Sequence, residues 1–144
     1  MTINEIQDEI IEEFSFFDDW MDKYEYLISL GKDLPLIDEK YKDEQHLIKG
    51  CQSRVWLHAE QDAGQVAFTA DSDAIITKGI IGLLVRVLSA QSPQEVAQAD
   101  LYFVDKIGLH EHLSPTRSNG LRSMVKQMKL YGMAMAAQND QSNG

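Results

Sequence analysis

The stretch that decides the fold is residues 54–90, which read RVWLHAEQDAGQVAFTADSDAIITKGIIGLLVRVLSA. Residues 54–59 and 65–70 have the composition of strands, and residues 61–64 are typical of a hairpin turn, so this part predicts a β-hairpin. Residues 74–90 are apolar on almost every side, which is typical of a helix buried at the centre of a domain. The stretch therefore predicts a hairpin followed by a buried central helix.

The beginning and the packing of the central helix depend on a few residues. Asp71, Ser72 and Asp73 directly precede it and are candidates for its N-cap, because their side chains accept hydrogen bonds from the free amides of a first helical turn. Gly79 and Gly82 each cost the helix roughly 1 kcal/mol relative to alanine. We therefore expect the helix to approach the sheet closely at these two glycines.

Two amphipathic helices are predicted before the hairpin. Thr2 and Glu5 have the spacing of a capping box, and apolar residues then recur at helical intervals. Ser15 starts the second helix in the same way, and Gly31 is expected to end it. We interpret this pair as a helical hairpin, which the charged, proline-containing segment 34–44 connects to the β-hairpin.

More helical segments are predicted after the central helix. Ser-Pro at 92–93 has the residues preferred at the start of a helix, and residues 100–107 can form another. Residues 113–137 read as a capped turn followed by a last amphipathic helix. Residues 138–144 are polar and are expected to fray. We thus predict a single domain over residues 1–137 and a polar C-terminal tail.

Composition limits the class of protein. The chain has 144 residues, a length typical of one domain, and its formal net charge is −10. An acidic protein is not expected to bind nucleic acid or an anionic membrane, since both attract basic surfaces. No apolar run approaches the roughly 20 residues of a membrane-spanning helix, and the start lacks the basic and apolar regions of a signal peptide. We therefore expect a cytoplasmic protein.

The charge is distributed unevenly along the chain. Residues 1–44 contain fourteen acidic and four basic residues, whereas the remaining residues are neutral in sum. The segment 113–137 contains four basic residues and no acidic one. This basic helix is expected to pack near the acidic N-terminal helices or to face an acidic partner, and a solvated helix face is the simplest interpretation.

Cys51 is the only cysteine, which excludes an internal disulfide and any zinc site or cluster held by several thiolates of this chain alone. A lone cysteine is most often a small buried hydrophobe. Here, however, Gly50 and two polar residues surround it on a loop that leads into the hairpin. Lys49 and Arg54 flank the thiol with positive charge, which stabilises a thiolate. The context favours a reactive loop cysteine.

Two other arrangements of chemistry-bearing residues have no motif of known spacing behind them. His110 and His112 could hold zinc or copper together with Cys51, and His58 could activate Cys51 as a dyad. The sequence contains no glycine-rich nucleotide-binding motif and no Cys-x-x-Cys. We therefore expect no resident metal or cofactor.

Three blocks around the cysteine resemble the signature blocks of the SufE family. They are 49–57 (KGCQSRVWL), 71–74 (DSDA) with 78–80 (KGI), and 108–109 (GL) with 112–121 (HLSPTRSNGL). Their order and spacing are those of the family, and the likeness runs from about the second helix to the last. Three separated blocks around one cysteine are much more specific than any single motif.

The resemblance implies an α+β fold, a small antiparallel β-sheet covered by helices and similar to that of IscU-type scaffold proteins. The element order derived above agrees with it. It also implies a sulfur acceptor in iron–sulfur cluster assembly, the partner of a pyridoxal-phosphate-dependent cysteine desulfurase of the SufS or CsdA type. Cys51 matches the family's acceptor cysteine, which carries sulfur as a persulfide. A scaffold role is excluded, because holding a cluster uses several cysteines.

The resemblance also bears on the surroundings of the cysteine and on the partners. In this family the acceptor loop can tuck its cysteine into an apolar pocket, and Arg117, Asp71 and Asp73 are candidates for shaping or gating it, although helix capping and structural hydrogen bonds explain them more simply. The protein itself is then not an enzyme; it passes sulfur to a cluster scaffold or another acceptor, as a monomer or weak homodimer. The alternative is a non-covalent adaptor that activates a desulfurase or an assembly complex without taking sulfur.

Overall fold

The computed structural model describes the backbone of residues 1–143 and the side chains of residues 1–140. Within this part of the chain, two strands form one antiparallel sheet, and helices surround it. In chain order the elements are α1 (Ile3–Ser15), α2 (Trp20–Gly31), the 3₁₀ turns Glu39–Tyr41 and Glu44–His46, β1 (Val55–Asp62), β2 (Gln65–Ser72), α3 (Ile75–Leu88), α4 (Pro93–Gln98), α5 (Phe103–Lys106), α6 (Leu109–His112) and α7 (Pro115–Asn143). The predicted α+β fold with a small antiparallel sheet is confirmed.

The β-hairpin is longer than the sequence predicts. β1 and β2 pair along their full lengths, and only Ala63 and Gly64 connect them. Both connecting residues have positive φ, 52° and 79°, which fits a two-residue turn to the twist of the paired strands. Gln61 and Asp62, which we expected in the turn, are therefore paired strand residues.

The N-terminal helices begin with side-chain caps. The capping box of Thr2 and Glu5 is present at the start of α1, as predicted. The start of α2 differs from the prediction, because Asp19 and not Ser15 is its N-cap, and the Asp19 carboxylate accepts a hydrogen bond from the Asp22 amide at 2.9 Å. Ser15 is the last residue of α1, and its hydroxyl donates to a carbonyl of that helix.

The start of α3 also differs from the prediction. β2 continues through Asp71 and Ser72, and the N-cap of α3 is Ala74, which offers no side-chain hydrogen bond. Asp71 and Asp73 do not cap the helix, because other groups bind their carboxylates, as described below. Asp71 and Asp73 therefore bind residues that precede β1 in the chain, Lys42 and Arg54, and not the first turn of α3.

The core is formed where α3 meets the sheet and α2. One face of the hairpin is buried, and nine of the fourteen residues of α3 are buried as well. The buried residues of the hairpin are Val55, Leu57, Val66, Phe68 and Ala70. α3 is therefore the central helix that its apolar sequence predicts.

The close approach at Gly79 is to α2 and not to the sheet. A Cβ at Gly79 would lie 2.4 Å from the carbonyl oxygen of Leu27, and one at Gly31 would lie 3.1 Å from the Gly79 amide nitrogen. α2 ends at Gly31, as predicted, and this glycine also makes the contact with α3. Gly82 is less constrained, because its nearest neighbour would be 3.7 Å away. The two helices thus pack backbone to backbone at Gly31 and Gly79.

α7 continues past the predicted end at Ala137 to Asn143. The Asn139 amide donates to the Gln61 side chain at 3.2 Å, which links the helix to the end of β1. Helix thus occupies most of the segment that we expected to fray, and residue 144 lies outside the described residues. None of the described helices, α7 included, combines the length and hydrophobicity needed to cross a membrane.

Candidate functional site

The loop that carries Cys51, residues 49–54, lies between the second 3₁₀ turn and β1 and is called the acceptor loop below. Its two ends are held together, because the Ile48 amide donates to the Val55 carbonyl at 2.8 Å. A bridge between Leu47 and Trp56 extends this pairing by one residue on each side. The loop therefore projects from a fixed base.

The acceptor loop lies directly against α7. Gly50 has a φ of 92°, a conformation that favours glycine, and a Cβ there would lie 2.4 Å from the Ser123 hydroxyl, which would have to rotate away. On the α7 side, a Cβ at Gly120 would lie 3.5 Å from the Cys51 sulfur. The Cys51 thiol is 3.6 Å from the Gly120 carbonyl oxygen, to which it donates a weak hydrogen bond.

A small cavity of about 70 Å³ adjoins the thiol. Its walls come from the acceptor loop, α3 and the first turns of α7. They are Cys51, Gln52, Ser53, Thr77, Ile80, Thr116, Arg117, Gly120 and Met124. A water molecule needs roughly 10–15 Å³ of such space, so the cavity has room for one additional sulfur atom.

Burial controls the acidity of the thiol in this conformation. Cys51 is half-buried, and this burial raises the pKa of its thiol. Lys49 and Arg54 are both exposed, and neither lines the cavity. The lower pKa that these flanking cations led us to expect is therefore not what this conformation gives.

Arg117 and Asp73 contact different parts of the site. Arg117 lines the cavity, is exposed, and forms no ion pair with any described residue. Asp73 does not line the cavity; its carboxylate accepts a hydrogen bond from the Arg54 amide at 3.0 Å. The Ser72 hydroxyl donates to the Arg54 carbonyl at 2.8 Å. Asp73 thus fixes the end of the acceptor loop and does not form the pocket.

Asp71 holds a different part of the structure. Its carboxylate lies 2.7 Å from the Lys42 ammonium and 3.4 Å from that of Lys78. Partial burial acts to raise the pKa of Asp71, but hydrogen bonds from Lys42 and the Ser72 amide, together with the charge of Lys78, lower it. Asp71 therefore ties the connector before the acceptor loop to α3, outside the cavity.

The histidines do not form the sites that the sequence left open. No histidine lines the cavity beside Cys51. His58 instead contacts His46 and Glu60, and the His112 ring bonds to the Gly108 carbonyl at 3.0 Å. Among the residues with described side chains, no group of three or more His, Cys, Asp or Glu could hold a metal ion. The structure thus contains no Cys51–His58 dyad.

A larger opening, lined by Lys49 of the acceptor loop and by residues of α7, is called the α7 groove below. It has a volume of about 750 Å³, and residues 44–49 face α7 residues 123–131 across it. Lys49 and Lys126 are exposed at this groove and have no ion pair within the described chain, and Leu130 remains 44% exposed. Sequence reasoning missed this groove, because its two walls are about 80 residues apart in the chain.

Sequence reasoning also missed the walls around the thiol. Thr77, Ile80 and Met124 read as ordinary core positions of two separate helices. Gly120 is the one wall residue that the sequence could have pointed to, because a glycine inside a helix costs stability and so indicates a close neighbour. That neighbour is Cys51.

Comparisons with known proteins agree with the family resemblance and the fold. A model of the SufE family, described as "Fe-S metabolism associated domain", matches residues 8–132. An uncharacterized SufE-like protein of Rhizobium meliloti is 42% identical over 127 residues, which cover 85% of this chain and 91% of the relative. A second one, of Rhizobium etli, is 42% identical over 135 residues, 90% of this chain and 91% of the relative. The solution structure of a hypothetical protein from Thermus thermophilus has the same fold, with a TM-score of 0.76, 21% identity and coverage of 92% of this chain and 96% of that chain.

Proposed function

The chain belongs to the SufE family and therefore has a role in Fe–S metabolism, and from this we propose that it accepts sulfur from a cysteine desulfurase as a persulfide on Cys51. It then delivers that sulfur for iron–sulfur cluster assembly. The desulfurase supplies the pyridoxal phosphate chemistry, and this chain stimulates its turnover by removing the sulfur. The chain itself is a carrier and not an enzyme.

The transfer is a thiol exchange at sulfur. Cys51 first loses its proton, and the thiolate attacks the outer sulfur of the desulfurase persulfide. A bond forms between Sγ of Cys51 and that sulfur, the original S–S bond breaks, and the desulfurase thiolate leaves and takes up a proton. The product is a persulfide on Cys51, and no external oxidant or reductant takes part.

The observation that carries the proposal is the position of the only thiol at a cavity that has room for a second sulfur atom. Cys51 lies in the first of the family's blocks, and the third block, on α7, supplies the Gly120 and Arg117 walls. A half-buried persulfide is shielded from water and oxidants. The same burial raises the thiol pKa, so transfer requires the acceptor loop to move when the desulfurase docks.

The experiment is intact mass spectrometry after incubation with a desulfurase, free cysteine and pyridoxal phosphate. We expect the wild-type protein to gain the mass of one sulfur atom, which a reductant removes. Cys51→Ser should neither gain sulfur nor stimulate desulfurase turnover. Lys106→Ala, at an exposed lysine that lines neither the cavity nor the surface around the acceptor loop, is the control and should retain both properties.

The alternative function, a non-covalent adaptor, makes the opposite prediction for the same variant. If Cys51→Ser stimulates turnover as well as the wild type, the adaptor replaces the carrier as the function. We place the protein in the cytoplasm, where it acts as a monomer or weak homodimer with a desulfurase of the SufS or CsdA type. A cluster scaffold or another downstream protein is the next acceptor, and neither nucleic acid nor a membrane is a partner.

A further inference from the structure

His46 and His58 face each other across the base of the acceptor loop. His46 ends the second 3₁₀ turn before Cys51, and His58 lies in β1 after it. Nε2 of His46 and Nδ1 of His58 are 3.3 Å apart. Neither ring lines the cavity beside the thiol, so the function proposed above makes no use of this pair.

Each ring contacts a carboxylate through its other nitrogen. Nδ1 of His46 is 2.7 Å from Asp43, and Nε2 of His58 is 2.8 Å from Glu60. Ionised carboxylates only accept hydrogen bonds, so in the neutral rings these outer nitrogens carry the proton. The two inner nitrogens then both present lone pairs to the space between them, and two lone pairs do not bond to one another without a cation.

The separation of the inner nitrogens fits a shared metal ion. At 3.3 Å it is long for a hydrogen bond between ring nitrogens. Zinc–nitrogen bonds of about 2.0–2.1 Å across this separation give a nitrogen–zinc–nitrogen angle of about 105–110°, close to tetrahedral. Metal-binding histidines usually donate their other N–H to a carboxylate, which is the arrangement that Asp43 and Glu60 provide.

We propose that Nε2 of His46 and Nδ1 of His58 form a two-nitrogen site for a divalent cation of the zinc type. Tyr41 stacks on the His58 ring at 3.9 Å with an angle of 11° between the planes, which holds that ring in place. The histidine side chains are 17% and 18% exposed, so an ion can reach them from solvent.

The site is incomplete within this chain. No third His, Cys, Asp or Glu among the described side chains completes it, so water or a group from another molecule fills the remaining positions. Because the chain supplies only two ligands, we expect the cation to bind reversibly. A bound ion would join the segment before the acceptor loop to the strand after it. This proposal departs from the sequence-based expectation that the chain binds no metal.

Zinc titration by calorimetry tests the site. We expect one zinc per chain in the wild type and in Cys51→Ser, because the thiol is not a ligand. His46→Gln and His58→Gln should each weaken binding at least tenfold, whereas His110→Gln, the matched control, should bind as the wild type does. Circular dichroism of each variant verifies that it is folded.

A second measurement needs no variant. In a long-range ¹H–¹⁵N spectrum of the wild-type histidines, zinc should shift Nε2 of His46 and Nδ1 of His58 and leave the His110 ring unchanged. Absence of zinc binding by the wild type, binding that survives both glutamine variants, or binding lost in Cys51→Ser would each overturn the proposal. None of these outcomes alters the test of sulfur transfer, which depends on mass gain at Cys51.

Discussion

The Cys51 thiol must attack a persulfide, yet it is half-buried and its pKa is raised. A thiol with a raised pKa keeps its proton to higher pH, so less of the reactive thiolate is present at neutral pH. We expect iodoacetamide to label the folded protein severalfold more slowly at pH 7 than the urea-unfolded chain. The midpoint of the rate against pH should also lie higher for the folded protein. Intact mass measures both, because the chain has one cysteine.

A midpoint at or below that of the unfolded chain would contradict the burial argument. The same assay with a desulfurase, whose own acceptor cysteine has been replaced, tests the opening of the acceptor loop. Docking should accelerate labelling, because it selects the conformer with an accessible thiol. Equal rates with and without the desulfurase would mean that Cys51 is permanently accessible.

The Asp73 side chain contributes one of the hydrogen bonds that hold the end of the acceptor loop at Arg54. Its carboxylate accepts from the Arg54 amide at 3.0 Å, so Asp73→Ala should loosen this end of the loop, which the bonds to the Arg54 carbonyl still hold, and increase the labelling rate of Cys51. Loss of this bond should also cost about 1 kcal/mol of unfolding free energy. Asp73→Asn keeps an oxygen acceptor and is the matched control. If both variants label equally and faster than the wild type, the charge of Asp73 and not its hydrogen bond governs the loop; if neither labels faster, the Asp73 side chain does not restrain it.

Helices and strands could be predicted wherever residues close together in the sequence determine where they begin or end. The capping box at Thr2 and the hairpin around Gly64 are recognisable from neighbouring residues, and both exist. The predicted N-cap of α3 was wrong. The carboxylate of Asp73 binds the amide of Arg54, nineteen residues earlier in the chain, and does not cap the helix that follows it. The cysteine could be identified from its sequence block, whereas its cavity could not, because α3 and α7 form the walls.

The close contact between α2 and α3 predicts that alanine has opposite effects on stability at Gly79 and at Gly82 of α3. A Cβ at Gly79 would lie 2.4 Å from the Leu27 carbonyl oxygen, which cannot move without shifting α2. Gly79→Ala should therefore lower the free energy of unfolding by about 1–3 kcal/mol or more, as overpacking does. Gly82→Ala meets nothing closer than 3.7 Å and should stabilise the protein by up to roughly 1 kcal/mol through helix propensity. Urea unfolding measures both.

The sign of the difference between these variants is decisive. If Gly79→Ala is as stable as Gly82→Ala, the helices do not approach as closely as the structure has them. If both variants destabilise by similar amounts, a general intolerance of side chains on α3 and not the Leu27 contact explains the loss.

Across the described part of the molecule, the ion pairs of the acidic N-terminal helix are made with α3 and not with the basic helix α7. Glu9 and Glu13 of α1 bind Arg86 of α3, and no described ion pair involves α7. Among the described residues, the basic residues of α7 therefore form no ion pair with the acidic N-terminal helices. Lys126 lies at the α7 groove beside the acceptor loop, where a docking partner would meet it.

The last prediction follows from this placement. If an acidic face of the desulfurase meets the α7 groove, Lys126→Glu should slow sulfur transfer severalfold at low protein concentration and weaken its dependence on salt, because a rim charge acts mainly on association. Lys106→Glu, on α5, makes the same change in net charge at an exposed lysine that lines neither the cavity nor the groove. It should transfer sulfur as the wild type does. The measurement is the rate of mass gain at Cys51 at two salt concentrations. Equal loss in both variants would trace the effect to the net charge of the chain, and no loss in either would remove the α7 groove from the docking face.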